Sequence, residues 1–160
     1  MSDHLSQHSA FNLAAWNQLI HQDIPATLML GIRLTQLTPH CAAAWAPLAQ
    51  NINGHGTGFA GSIYTLGVVT GWTLISALAK TISSNCQVVA GEAHIHYRQP
   101  LSGNLVARAE LNGAPCASWH SQWQSYRAAK QPLTIMLGTQ DSLTAAEMTA
   151  TFYIKKEELN

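Results

Sequence analysis

From Gly58 to Ala79 the chain carries no charged side chain, and this uncharged run limits what the chain can fold into. The run is long enough to cross a bilayer. Within it, Gly67-x-x-x-Gly71 has the spacing that packs helices in membranes. Two features oppose a membrane span. Ser62, Thr65, Thr70, Thr73 and Ser76 make the run only moderately apolar, and no basic cluster flanks it to set an orientation. A soluble chain hides a helix that is apolar on all sides by wrapping a sheet around it.

The rest of the chain supplies such a sheet. Phe11 to His21 has helical spacing (Phe11, Ala15, Leu19 beside Trp16 and Ile20) and is limited by Pro25. Ile32 to Leu37 and Cys41 to Pro47 read as a hairpin turning at Pro39-His40. The uncharged helix is expected over about Gly61 to Thr81. Gln87 to Gln99 then alternates with period two. Val89, Gly91, Ala93, Ile95 and Tyr97 are expected on one face, and Ala90, Glu92, His94, His96 and Arg98 on the other. Asn104 to Leu111 is a further strand. Trp119, Trp123, Tyr126 and Arg127 predict a second helix over Ala117 to Lys130, and Leu133–Thr139 and Met148–Lys156 close the chain as strands. Helices on one side of an antiparallel sheet, an α+β class, is the packing this order favours.

A chain of 160 residues is expected to form a single domain spanning 1–160. Only 10% of residues are charged and the formal net charge is zero, which argues against nucleic acid or an anionic membrane as the main partner. So few charges also point to surface covered by another subunit. Cys41, Cys86 and Cys116 form no CxxC, so free thiols in a reducing cytoplasm are expected. The polar start, Met1 to Asn12, shows no secretory signal pattern.

Chemistry concentrates in the glycine-rich stretch Asn51-Ile52-Asn53-Gly54-His55-Gly56-Thr57-Gly58-Phe59-Ala60-Gly61-Ser62, just before the helix. Glycines let backbone approach a ligand closely. A helix start offers unpaired N–H groups and partial positive charge, which suits a carbonyl oxygen or an oxyanion. Asn53 is either a holder of water or carbonyl, or an Asx-turn residue. His55 is a general base or an exposed loop residue. Ser62 has no nucleophile elbow around it and reads better as a helix cap. Tyr64 donates to a carbonyl or packs as an aromatic. Glu92 is a catalytic carboxylate or a surface charge paired with Arg98 or a histidine. His94 and His96 share a strand face without a clear third ligand, so no metal site is expected. Trp119 and Trp123 are read as packing or subunit contacts.

The loop Asn51-Ile52-Asn53-x-x-Gly56-Thr57-x-Phe59-x-Gly61-Ser62-x-Tyr64, Gly71-Trp72 on the helix and Tyr97-x-x-Pro100 on the strand resemble the hot dog fold. The chain is most similar to the thioesterase domain that some bacteria fuse behind a GNAT-type acetyltransferase. The resemblance runs from about Trp16 to Lys156, which leaves no acetyltransferase domain in these residues. It implies an antiparallel sheet wrapped around a long helix, dimers or dimers of dimers, and action on acyl-CoA or acyl-carrier-protein thioesters without a cofactor.

It also implies a site built of Asn53, Gly61 and Tyr64 with His55 or Glu92. Substrate would lie against Gly56, Thr57, Phe59, Ser62, Leu66, Val69, Trp72 and Arg98. The chain departs from the hydrolytic pattern at three places. Val69 stands where a helix carboxylate often activates water, Phe59 where a histidine often precedes the glycine pair, and Ala90 where the next strand often carries a polar residue. A non-hydrolytic acyl-thioester binding module is therefore the alternative.

Overall fold

The computed structural model describes residues 10–111, 115–126 and 128–156. Expectations attached to residues 1–9, to Arg127 and to the side chains of Cys116 and Tyr126 lie outside these. Helix α1 (Leu13–Asp23) starts at Asn12, whose side chain accepts from the Ala15 N–H. Pro25 does not simply end it. Proline is favoured at the first position of a helix, and here it opens a short second one, α2 (Pro25–Met29). Strands β1 (Arg33–Leu37) and β2 (Cys41–Ala46) pair as the expected hairpin. The long helix α3 (Ala60–Ile82) is followed by β3 (Cys86–Tyr97) and β4 (Leu105–Glu110). Then come α4 (Pro115–Tyr126), β5 (Ala128–Gly138) and β6 (Ala146–Lys156).

The six strands form one antiparallel sheet in the order β1-β2-β4-β5-β6-β3, wrapped around α3. Fourteen α3 residues are buried, among them Leu66, Leu74 and Ile75 at 0% exposure. By length and composition α3 could span a bilayer, yet 78% of its most apolar window is buried inside the fold. Gly67 and Gly71 serve the sheet rather than another membrane helix. A Cβ at Gly67 would lie 2.9 Å from Met148 Cε, and one at Gly71 2.9 Å from Phe152 Cε2, so both glycines let α3 settle directly on β6.

Two expectations about strands need correction. The alternation along β3 breaks at Gly91, where a bulge between Ala90 and Glu92 lets one strand residue go unmatched on β6. Val88 and Ala90 stand opposite the buried Ile154 and Phe152, Val88 half-buried and Ala90 exposed, whereas Val89 stands opposite Tyr153 and is exposed. Past the bulge, Ala93, Ile95 and Tyr97 share one face as expected, opposite Ala150, Met148 and Ala146. A bulged Gly91 fits because a Cβ there would collide with the Tyr153 ring. The second correction is that Ala128 to Lys130 is not the tail of α4 but the start of β5, held in register by Lys155, Ile154 and Tyr153 of β6. Trp119 is fully buried, and its Nε1–H donates to Gln131 Oε1 at 2.9 Å, tying α4 to that strand.

The two sheet edges differ. At β1, Asn17 of α1 acts as a substitute strand. It donates to Leu34 O at 3.1 Å and accepts from Leu34 N–H at 2.8 Å, and His21 Nε2 contacts Ile32 O at 2.7 Å. At β3, no described strand lies along the other side, although the strand is twelve residues long.

Candidate functional site at the start of the central helix

The loop before α3 is organised by Asn53. Its Oδ1 accepts from His55 N–H at 2.9 Å and Thr57 N–H at 3.2 Å. Its Nδ2 donates to Thr57 Oγ1 at 3.0 Å and Gly58 O at 3.1 Å. A backbone bond from Asn53 N–H to Thr57 O at 2.8 Å closes the turn. Both polar ends of the amide are engaged within the loop, which is the Asx-turn arrangement. Gly56 sits at φ 78°, a left-handed conformation that favours glycine. Gly58 N–H bonds Leu101 O at 2.8 Å and anchors the loop to the turn after β3. His55 stands exposed at the tip.

Phe59 is the N-cap of α3 and offers no side-chain hydrogen bond to the first turn. In an α-helix the first N–H groups, here those of Ala60, Gly61 and Ser62, have no intrahelical acceptor. Gly61 and Ser62 also line a cleft of about 360 Å³, together with Leu30, Asn51, Ile52 and Phe59. None of its lining residues is charged. The Phe59 ring lies across Gly61, where an added Cβ would come 2.5 Å from Phe59 Cε1. Any larger residue at 61 would displace the ring that walls the cleft.

The sequence alone does not single out Asn51, two residues before Asn53, as a site residue. It is 2% exposed and lines the cleft. Its Nδ2 donates to Leu30 O at 2.8 Å and Pro47 O at 2.7 Å, whereas its Oδ1 is buried without a hydrogen-bond partner. The only sequence signal for it is the repeated asparagine in Asn51-x-Asn53.

Nor does the sequence single out Tyr97 as a site group. Its hydroxyl donates to Ala60 O at 2.7 Å and so ties the inner face of β3 to the first residue of α3. Burial first, and the nearby Tyr64 second, push the Tyr97 phenol above its ordinary pKa. The phenol therefore remains a protonated donor at neutral pH. A phenol whose folded pKa is raised stabilises the fold fully below its unfolded pKa near 10.0, and that contribution is lost as pH climbs through the folded value. Tyr97→Phe should therefore flatten the fall in thermal stability above about pH 10, as read by melts across an alkaline series.

The remaining expected residues are dispersed. Tyr64 is 37% exposed beside the start of α3. Leu66 and Val69 are buried in the core, at 0% and 4% exposure, and do not line the cleft. Trp72 lies eleven residues beyond Gly61, about 16 Å along the helix axis at 1.5 Å per residue. It walls a separate cavity with Trp16, Ser76 and Lys80, and its Nε1–H donates to Val88 O at 2.8 Å. Glu92 is exposed on the outer face of the sheet, beside His94 and Thr151, with the sheet between it and α3. Arg98 is paired with Glu147 at 2.6 Å, so Glu147 rather than Glu92 is its carboxylate partner. His94 and His96 stand opposite Thr149 and Glu147, and no group of three potential metal ligands forms among the described residues.

A sheet curled around one long helix, with a glycine loop opening at the helix start, defines the hot dog fold. Residues 13–156 match the family described as "Putative thioesterase (yiiD_Cterm)", and the chain belongs to that family. Among solved structures it is similar to the putative thioesterase of Shewanella oneidensis, at 28% identity and a TM-score of 0.77, over 91% of this chain and 97% of that one. The thioesterase of Haemophilus influenzae matches at 18% identity and a TM-score of 0.71, over 91% and 92% of the two chains. The Escherichia coli PaaI protein from the phenylacetic acid degradation operon matches at 16% identity and 0.69, over 97% and 99%. At those identities the last two speak to the fold alone.

Proposed function

We propose that this chain hydrolyses an acyl thioester carried by coenzyme A or an acyl carrier protein to the free acid and thiol. The observation that carries the reading is the uncapped start of α3 opening onto an uncharged cleft. There the N–H groups of Gly61 and Ser62 hold the thioester carbonyl, and the charge that develops on its oxygen is stabilised by fixed donors at a helix N-terminus. Leu30, Ile52 and Phe59 supply an apolar rim for the acyl group. Asn53 holds the loop in the shape that presents these N–H groups, and His55 at the loop tip is the candidate base for water. On this reading Glu92, exposed on the outer face of the sheet, takes no part in activating water. The family assignment supports the thioester class. Incubation with acyl-CoAs of graded chain length and a thiol reagent should show CoA release above the uncatalysed rate.

One observation favours a second reading. Helix α3 contains no Asp or Glu from Ala60 to Ile82, so no carboxylate stands on it to activate water. A protein that binds these acyl-CoAs without releasing thiol over hours would be a binding module instead.

We further propose that the chain works as a homodimer, or a dimer of dimers, through β3. A twelve-residue edge strand with exposed Val89 and Tyr97 is a template for pairing, and natural sheets protect such edges. Pairing of two β3 strands would continue the sheet and set Tyr97, with the start of α3 behind it, near the junction. Light scattering at micromolar concentration should return a dimer mass or its double, and a monomer would remove this proposal. A reducing cytoplasmic setting is part of the same reading, supported by Cys41 as a free thiol among the described residues.

A further inference from the structure

The N–H groups of Gly61 and Ser62 have one feature in common: each belongs to a peptide unit whose carbonyl is held by a hydroxyl. A trans peptide is a rigid plane, so the carbonyl of one residue and the N–H of the next turn together. Ala60 C=O and Gly61 N–H form one such plane, and Ala60 O accepts from the Tyr97 hydroxyl at 2.7 Å. Gly61 C=O and Ser62 N–H form the next, and Gly61 O accepts from the Thr65 hydroxyl at 2.9 Å. Phe59 offers no side-chain cap, so these hydroxyls supply the fixing that a cap gives a first turn. Threonine back-bonding alone says little, because Thr70 and Thr73 make the same bond to Leu66 O and Val69 O deeper in α3. Tyr97 is different. It reaches α3 from another element, and its own backbone is anchored: it stands opposite Ala146, and the next two N–H groups, of Arg98 and Gln99, bond Ala145 O at 2.8 and 3.2 Å. A carbonyl that accepts a further hydrogen bond polarises its amide and strengthens the N–H on the other side of the plane. Burial keeps the Tyr97 donor proton in place at neutral pH.

We infer that Tyr97 is a positioning residue for the reaction, acting through the Ala60–Gly61 peptide, and that Thr65 plays the same part for the Gly61–Ser62 peptide. Each hydroxyl fixes the plane that carries one donor. Each also makes that donor stronger as negative charge grows on the substrate oxygen. Neither hydroxyl needs to touch substrate. The inference rests on the thioester reading, with the carbonyl at the start of α3. Because Tyr97 sits on the edge strand β3, the sheet as well as the glycine loop sets the angle of the Gly61 donor.

Tyr97→Phe and Thr65→Val each remove one hydroxyl and keep the shape of the side chain. Each should lower kcat for acyl-CoA hydrolysis by about 5-fold, with KM unchanged within about 2-fold. NMR spectra of the free protein give a readout that general loosening would not. Tyr97→Phe should move the Gly61 amide nitrogen upfield, by more than that of Ser62, and Thr65→Val should move Ser62 more than Gly61. An unchanged kcat in Tyr97→Phe, or a Gly61 signal that moves no more than that of Ser62, overturns the inference while the thioester reading stands. A wild-type protein that releases no CoA removes the thioester reading, and the catalytic part of both hydroxyls goes with it. Replacing Tyr97 with a ring-fluorinated tyrosine keeps the hydroxyl and makes it a stronger donor, so the Gly61 nitrogen should move downfield. That arm decides the matter should Tyr97→Phe fail to fold, and a Gly61 signal that stays still there overturns the inference.

Discussion

Leu74→Asp will not yield a folded protein at room temperature, whereas Leu74→Ala will fold with reduced stability. Leu74 is at 0% exposure, in the middle of a helix enclosed by the sheet. Truncation to Ala removes buried contacts and leaves a void, a cost of about 2–5 kcal/mol. For a chain of this size that corresponds to a fall of roughly 10 °C in Tm. An Asp adds an unpaired buried charge, which costs several further kcal/mol. Natural domains have a total stability of only about 5–15 kcal/mol, so the sum reaches the whole reserve. Circular dichroism and urea melts on the two variants check this. A Leu74→Asp protein with wild-type melting behaviour would show that α3 is not enclosed as described.

Much of this architecture is legible in the sequence because burial and charge are coupled. A run without charge from Gly58 to Ala79, followed by strands of period two, leaves few packings other than a sheet around a helix. What is illegible depends on partners distant in the chain. The bulge at Gly91 is a property of the pairing with β6, where Ala90 meets Phe152 and Glu92 meets Thr151. Strict alternation along β3 therefore puts Val89 on the wrong face. Residues Ala128 to Lys130 carry no strong strand signal and follow a helix, yet β6 supplies a ladder that draws them into β5.

The site shows the same division. The glycine loop and the helix start are visible as a motif, but two asparagines two residues apart cannot be ranked from sequence. The fold separates them by burial. Asn53 is engaged by its own loop, and Asn51 is sealed under it with one atom unpaired. The placement of Glu92 and Arg98 is likewise hidden from the sequence, because it depends on the pairing with β6. Glu92 is exposed on the outer face, and Arg98 is bound to Glu147.

Asn53→Ala is expected to lower kcat/KM for thioester hydrolysis by about 100-fold, the loss that a misplacement of about 1 Å at the reacting groups can produce. The physical route is indirect. Asn53 touches Thr57, Gly58 and His55 rather than the cleft, so the variant acts by releasing the loop that places Gly61 and Ser62. Because the loop is largely exposed, global stability should fall by only about 1–2 kcal/mol, the loss of a few solvent-facing hydrogen bonds. Thermal melting should thus change little while turnover collapses. Asn53→Asp separates this from direct chemistry. It keeps the acceptor for the His55 and Thr57 N–H groups and loses the donor to Gly58 O, so it should retain more activity than Ala. His55→Ala leaves the Asn53 bonds intact, because the His55 contact runs through its backbone N–H. A large loss in His55→Ala with an unchanged melt therefore reports the imidazole as base. A small loss would mean that water attacks without a strong base, held only by the geometry of the loop. Full turnover in Asn53→Ala would remove the loop before α3 from the site altogether.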